Sequence, residues 1–127
     1  MVNNTFYKHI GGKKTIESIT HRFYKAVKED PILAPMYPDS DFEGAEKRLS
    51  MFLEQYWGGP ITYSEQRGHP RLRMRHAPFK VNPAARDAWL KHMNAAIKTE
   101  KLAPIYEIQF LSYVDNAAHA MVNTFED

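Results

Sequence analysis

Apolar residues along this chain recur at the three- and four-residue spacing of helices, and no stretch alternates as a half-buried strand does. Thr5-Phe6-Tyr7 opens a short helix that Gly11-Gly12 ends, because glycine takes the left-handed conformation at a helix C-terminus without steric cost. Ile16, Ile19, Phe23, Tyr24 and Val27 then mark one face of an amphipathic helix running from about Lys13 to Lys28. Asp30-Pro31 and Pro35-Met36-Tyr37-Pro38 interrupt the pattern, since proline drives its predecessor out of the helical region. Asp39 or Asp41 can cap a third helix with Ala45, Leu49, Phe52, Leu53 and Tyr56 on its inner face, stopped by Gly58-Gly59-Pro60. Asn82 is a good N-cap with Pro83 at the first helical position, and the helix they start turns Trp89, Met93, Ala96 and Ile97 to one side. A last helix spans about Pro104 to Asn123, with Ile105, Ile108, Leu111, Val114, Ala118, Met121 and Val122 expected inward. The fold class is all-α.

Between the third and fourth long helices lies an irregular stretch from Trp57 to Pro83. It exceeds the roughly 12–15 residues beyond which a loop in a compact domain is usually functional. It is also rich in His, Arg, Tyr and Phe, where a solvated linker would favour Gly, Ser, Glu and Lys. Met74-Arg75-His76-Ala77-Pro78-Phe79 suits a segment that holds one imidazole against a bulky, flat, apolar group.

Length and composition narrow the classes. With 127 residues, the chain is read as a single domain over residues 1–127, large enough to bury roughly two-thirds of its unfolded surface. A formal charge of +2 is too small to point to nucleic acid or an anionic membrane as main partner. Cysteine is absent, which removes disulfides, thiolate metal sites and a thiol nucleophile. The N-terminus lacks the apolar core of a signal peptide and no segment is apolar enough to span a bilayer, so a cytoplasmic location is expected. The aromatic content of 13% matters more, because buried Tyr and Trp need hydrogen-bond partners for their donors.

Six histidines are present, and for His9, His21, His69, His92 and His119 the plain reading is a surface or hydrogen-bonded residue. His76 differs, having Leu72 and Met74 before it and Pro78-Phe79 after it. A metal role for it is open; a local zinc site is poorly served, with no HExxH, no cysteine and no acidic residue between Arg67 and Arg86. Arg67, Arg71, Arg73, Arg75 and Lys80 admit three readings: a solvated basic loop, a nucleic-acid patch without a recognised motif, or a clamp for carboxylates. Tyr24, Tyr37 and Trp89 can be core packing, or can converge on a cavity whose ligand satisfies them.

Taken in order, Gly11-Gly12, Phe23-Tyr24, Tyr37-Pro38, Tyr56-Trp57-Gly58-Gly59-Pro60, the run from His69 to Phe79, and Trp89 resemble the truncated haemoglobins, most of all their second group. The resemblance covers nearly the whole chain, and the block around His76 is its most specific part. It implies a two-over-two helical sandwich enclosing haem b (iron protoporphyrin IX), with His76 as the only protein ligand to iron. It implies a distal hydrogen-bonding network of Tyr24, Tyr37 and Trp89, in which Trp89 and Tyr24 are expected to hold O2. Ala45 matches the position facing ligand entry and Leu49 the next turn, so no distal histidine or glutamine is implied. Arg48, Tyr56, Tyr63, Arg73 and Arg75 match positions that reach the propionates, and Phe52, Leu72 and Phe79 complete the cofactor-binding set.

The function so implied is binding of O2, NO, CO or peroxide. Sensing and redox turnover, such as nitric oxide dioxygenation or a peroxidase-like reaction with a reductase, both suit it better than bulk storage does. A second copy of the chain is a further partner it admits; nucleic acid and membrane are not expected. The rival from another class is a small helical interaction module with a basic loop and no cofactor.

Overall fold

The computed structural model of the chain describes residues 4–37, 41–68 and 81–123. Among them every regular element is helical: α1 (Asn4–His9), α2 (Gly12–Val27), a 3-10 turn (Ala34–Met36), α3 (Phe42–Tyr56), α4 (Thr62–Arg67), α5 (Pro83–Thr99) and α6 (Pro104–Met121). The first glycine pair does what its position demands. Gly11 sits at φ +109°, where a Cβ would fall 2.2 Å from the Thr15 hydroxyl, so α1 and α2 meet at a corner that only glycine fits.

Two pairs of helices form the body, α2 with α3 and α5 with α6, joined by a face of α2 that packs on α5. Ile16, Ile19, Phe23 and Val27 of α2 are fully buried, with Met93 and Ile97 of α5 and Phe110 of α6 against them. Thr20 is equally buried, and its hydroxyl meets that of Ser50 at 2.5 Å, a polar tie from α2 to α3 inside the core. Asp41, rather than Asp39, caps α3, accepting from the Gly44 amide at 3.0 Å. Asn82 caps α5 in the same way, at 2.8 Å from the Ala85 amide, with Pro83 at its first turn.

Three sequence expectations are corrected here. Ile105 and Ile108 face solvent, 63% and 64% exposed, whereas Phe110, Val114 and Ala118 face the core. At about 100° per residue, Ile108 lies some 200° around α6 from Phe110, and the larger aromatic takes the inner face. Tyr56 is 49% exposed instead of buried. Leu53 fills the inner position, and Tyr56 stacks its ring on Tyr113 of α6 at 3.8 Å. The stretch expected to be irregular contains α4, tied to α3 by both ends of one amide: Gln55 Nε2 donates to Ser64 Oγ at 2.7 Å and Gln55 Oε1 accepts from the Ser64 amide at 3.0 Å. A matching tie closes the far side, where the Val81 amide donates to Asn123 Oδ1 and the Asn123 amide to the Val81 carbonyl, both at 2.9 Å.

Candidate functional site

The two helix pairs enclose a cavity of about 500 Å³, within the range of about 300–1,000 Å³ usual for cofactor and small-molecule sites. α2 contributes Tyr24, and the turn after it Leu33, Met36 and Tyr37. α3 contributes Ala45, Arg48, Leu49, Phe52 and Leu53, and α4 Tyr63 and Arg67. Val81, Ala85, Arg86, Trp89 and Met93 form the α5 side, and Tyr113, Val114, Ala117, Ala118 and Met121 the α6 side. The walls are mostly apolar, which suits a flat apolar ligand. Their polar groups fall into two sets of different chemistry.

The first set is aromatic. Tyr24 and Tyr37 meet edge to face with ring centroids 5.6 Å apart, and Phe23 braces both Tyr24 and Trp89 at 4.9 and 5.3 Å. Burial pushes the Tyr24 phenol well above the usual tyrosine range, and its hydrogen bond to Tyr37 pushes it the same way. Burial also raises Tyr37, but there the hydrogen bond from Tyr24 and the Arg48 charge pull downward. The two phenols therefore act on each other within the cavity, Tyr24 held up and Tyr37 partly drawn down by the contact they share.

The second set is cationic. Arg48, Arg67 and Arg86 bring guanidinium groups to the cavity from three different helices. Arg48 lies 3.7 Å from Asp41 and Arg86 3.0 Å from Asp87, so each shares its charge with a carboxylate at the surface.

Of the residues expected at the site, Tyr24, Tyr37, Ala45, Arg48, Leu49, Phe52, Tyr63 and Trp89 line this one cavity. Tyr56 does not; it stands behind Tyr113, outside the wall. Leu72, Arg73, Arg75, His76 and Phe79 lie outside the described residues, as do His69, Arg71 and Lys80. Sequence reasoning missed Arg86, Met93 and the α6 wall. Arg86 stands three residues before Trp89 and so on the same helix face, a spacing that could have found it. The α6 wall could not be read so, because Ala117 and Ala118 carry no chemistry of their own.

The four described histidines are all engaged elsewhere. His9 pairs with the Tyr106 hydroxyl at 2.8 Å, His21 with Glu46 at 3.5 Å, His92 with Asp30 at 2.6 Å and His119 with the Asp115 carbonyl at 2.8 Å. None of them borders the cavity. Among the described residues no group of His, Cys, Asp or Glu side chains is arranged to hold a metal ion, and no helix is long and apolar enough to cross a membrane.

The sequence profile of a family described as bacterial-like globin matches residues 5–123. A thermostable hemoglobin from the actinobacterium Thermobifida fusca is 51% identical and superposes with a TM-score of 0.93, covering 99% of this chain and 100% of that one. The truncated oxygen-avid haemoglobin from Bacillus subtilis is 35% identical with a TM-score of 0.87, over 93% of this chain and 98% of that one. Group 2 truncated hemoglobin YjbI, from Bacillus subtilis (strain 168), is 35% identical over 123 residues, 97% of this chain and 92% of the relative.

Proposed function

We propose, from the premise that this chain belongs to the bacterial-like globin family and within it to the group II truncated haemoglobins, that its cavity holds haem b and keeps O2 there by paired hydrogen bonds. Haem-based binding of small ligands follows from the family itself, and with it the rival reading of a cofactor-free interaction module falls. The finer reading rests on one observation: a mostly apolar cavity of about 500 Å³ that is lined, among the described residues, by the phenol pair Tyr24 and Tyr37, the Trp89 indole and three arginines.

That division of polar groups fits the two kinds of polarity haem brings, an open iron position and two carboxylates. Arg48, Arg67 and Arg86, with the Tyr63 hydroxyl, are the described groups suited to the carboxylates, since a guanidinium matches a planar anion with two parallel hydrogen bonds. Arg73 and Arg75 are proposed beside them. The apolar walls, Leu49, Phe52 and Val114 among them, cover the macrocycle and keep water out.

His76 is proposed as the iron ligand. The four described histidines are committed elsewhere and stand off the cavity, which leaves His69 and His76 to supply an imidazole. His76 has the apolar neighbours that a haem-facing segment requires. When bound, the iron supplies the coordination position at which O2, CO or NO attaches.

The protein's own contribution is to hold two hydrogens over that position. In this reading Tyr24 donates to Tyr37, which leaves the Tyr37 hydrogen for the ligand; both phenols line the cavity with ring centroids 5.6 Å apart. The second hydrogen proposed is the indole N–H of Trp89, which lines the same cavity from α5. Each hydrogen bond to a charged or partly charged acceptor is worth roughly 1.5–3 kcal/mol, so two of them slow release by several decades. Slow release suits ligand sensing or redox chemistry on O2, NO or peroxide, with a reductase for turnover, and disfavours bulk storage. A cytoplasmic location, a homodimer and a single domain over residues 1–127 belong to the same proposal.

The test is haem retention. His76→Ala is expected to abolish tight haem binding, with loss of the Soret band on gel filtration, while His69→Ala keeps it. Equal loss in both variants would overturn the assignment of His76.

A further inference from the structure

The side chain that organises the turn between α2 and α3 is an aspartate with no place in the cavity itself. α2 ends at Val27, and the chain must then turn and deliver Leu33, Met36 and Tyr37 to the site. Asp30 builds that turn. Its Oδ1 accepts from the Ile32 amide at 2.8 Å and the Leu33 amide at 3.1 Å, and its carbonyl accepts from the Ala34 amide at 2.9 Å. These bonds are local, so they shape the turn without fixing where it sits against the rest of the molecule.

Its other oxygen does that. Asp30 Oδ2 meets His92 Nε2 at 2.6 Å across 62 residues of sequence, with both side chains largely shielded, 11% and 16% exposed. His92 belongs to α5, three residues after Trp89 and next to Met93, both of which line the cavity. One helix thus carries the indole and, one turn on, the clasp that holds the segment bearing Tyr37. We infer that His92 is a positioning residue for ligand binding: through Asp30 it sets the distance between the Tyr37 hydroxyl and the Trp89 indole, and so the retention of O2. This inference rests on the proposed role of Tyr37.

The chemistry favours a rigid link. A hydrogen bond to a carboxylate is short and strong, and a half-buried one is little weakened by solvent. An imidazole has only two side-chain torsions, so its nitrogen is held by the helix with small entropic cost. Glutamine reaches equally far, because its Nε2 is separated from Cα by the same number of bonds as that of histidine.

The experiment compares O2 and CO release from the haem-loaded protein, together with amide hydrogen exchange at Ile32, Leu33 and Ala34. His92→Leu, which keeps apolar bulk, is expected to speed O2 release by about five-fold, the effect of weakening one hydrogen bond, with a much smaller change for CO. Exchange at the three turn amides should rise while that of Phe110 in α6 stays unchanged. His92→Gln should restore both readouts towards wild type. Should His92→Leu fail to fold, Asp30→Ser replaces it, since a serine hydroxyl still accepts the turn amides but is too short to reach His92. In the pair of Tyr37→Phe with either variant, no further acceleration of O2 release is expected beyond Tyr37→Phe alone. Equal acceleration of O2 and CO, or additive effects in the double variant, overturns the inference. A Tyr37→Phe protein with unchanged O2 release defeats the underlying reading instead, and the two failures are thereby separate.

Discussion

Tyr37 and Trp89 are the two side chains proposed to offer a hydrogen to the ligand, and their removal should be felt differently from that of Tyr24. Trp89→Phe and Tyr37→Phe are expected to speed O2 release by roughly one to two decades each, with CO, a poorer acceptor, changing less. Tyr24→Phe should have a smaller effect, because the role proposed for Tyr24 is to donate to Tyr37. Stopped-flow displacement on the ferrous protein checks the order. Equal effects on O2 and CO would mean that the aromatics act by bulk. At this scale the sequence shows residue types but not partners. Tyr24 stands on an apolar helix stripe and Tyr37 between prolines, so both are legible as buried phenols. How the two phenols differ depends on burial and on the Arg48 charge, and neither is encoded locally.

At the scale of elements, legibility follows how local the cause is. The start of α5 is written in two adjacent residues, Asn82 and Pro83, and the structure keeps it. α4 is held by Gln55 of another helix and buries a single side chain, Tyr63, so no periodicity announces it. The inner face of α6 is not written in its sequence, because Ile105 and Ile108 are as apolar as the residues that win; only the neighbouring helices select Phe110. α3 carries a further consequence of packing. Glu54 is buried, with the Tyr7 hydroxyl donating to it at 3.4 Å, and desolvation raises its carboxyl above the ordinary range. A raised carboxyl makes its full contribution to stability below its ordinary pKa and loses it as pH rises through the folded value. Glu54→Gln keeps an acceptor for Tyr7 and removes the buried charge. It should therefore raise the melting temperature at about pH 7 and change it less at about pH 4, as differential scanning calorimetry would show.

For the whole molecule, helix class and the two-pair arrangement are carried by the spacing of Ile16, Ile19, Phe23, Met93 and Ile97, which close the core between α2 and α5. The site is less legible because a cavity is defined by what small residues leave empty. Ala45, Ala85, Ala117 and Ala118 make room from three helices, and an alanine in a sequence does not say whether it packs or recedes. The resemblance supplied what spacing could not, since blocks such as Tyr56–Pro60 carry meaning only as a set.

The reciprocal pair between Val81 and Asn123 bears on time rather than on equilibrium. With the Gln55–Ser64 tie, it pins the chain on either side of residues 69–80, where the proposed iron ligand His76 lies. Loop-closure entropy changes only logarithmically with loop length, so freeing one pin costs the fold little. The residence of a cofactor is governed instead by how often its flank opens, a local event that can be frequent while the core stays shut. Asn123→Ala should therefore leave the melting temperature of the loaded protein nearly unchanged, yet shorten the lifetime of bound haem about five-fold when a haem-scavenging protein is added. On this view the residue that follows α6 works as a latch whose strength is read in the time a cofactor stays.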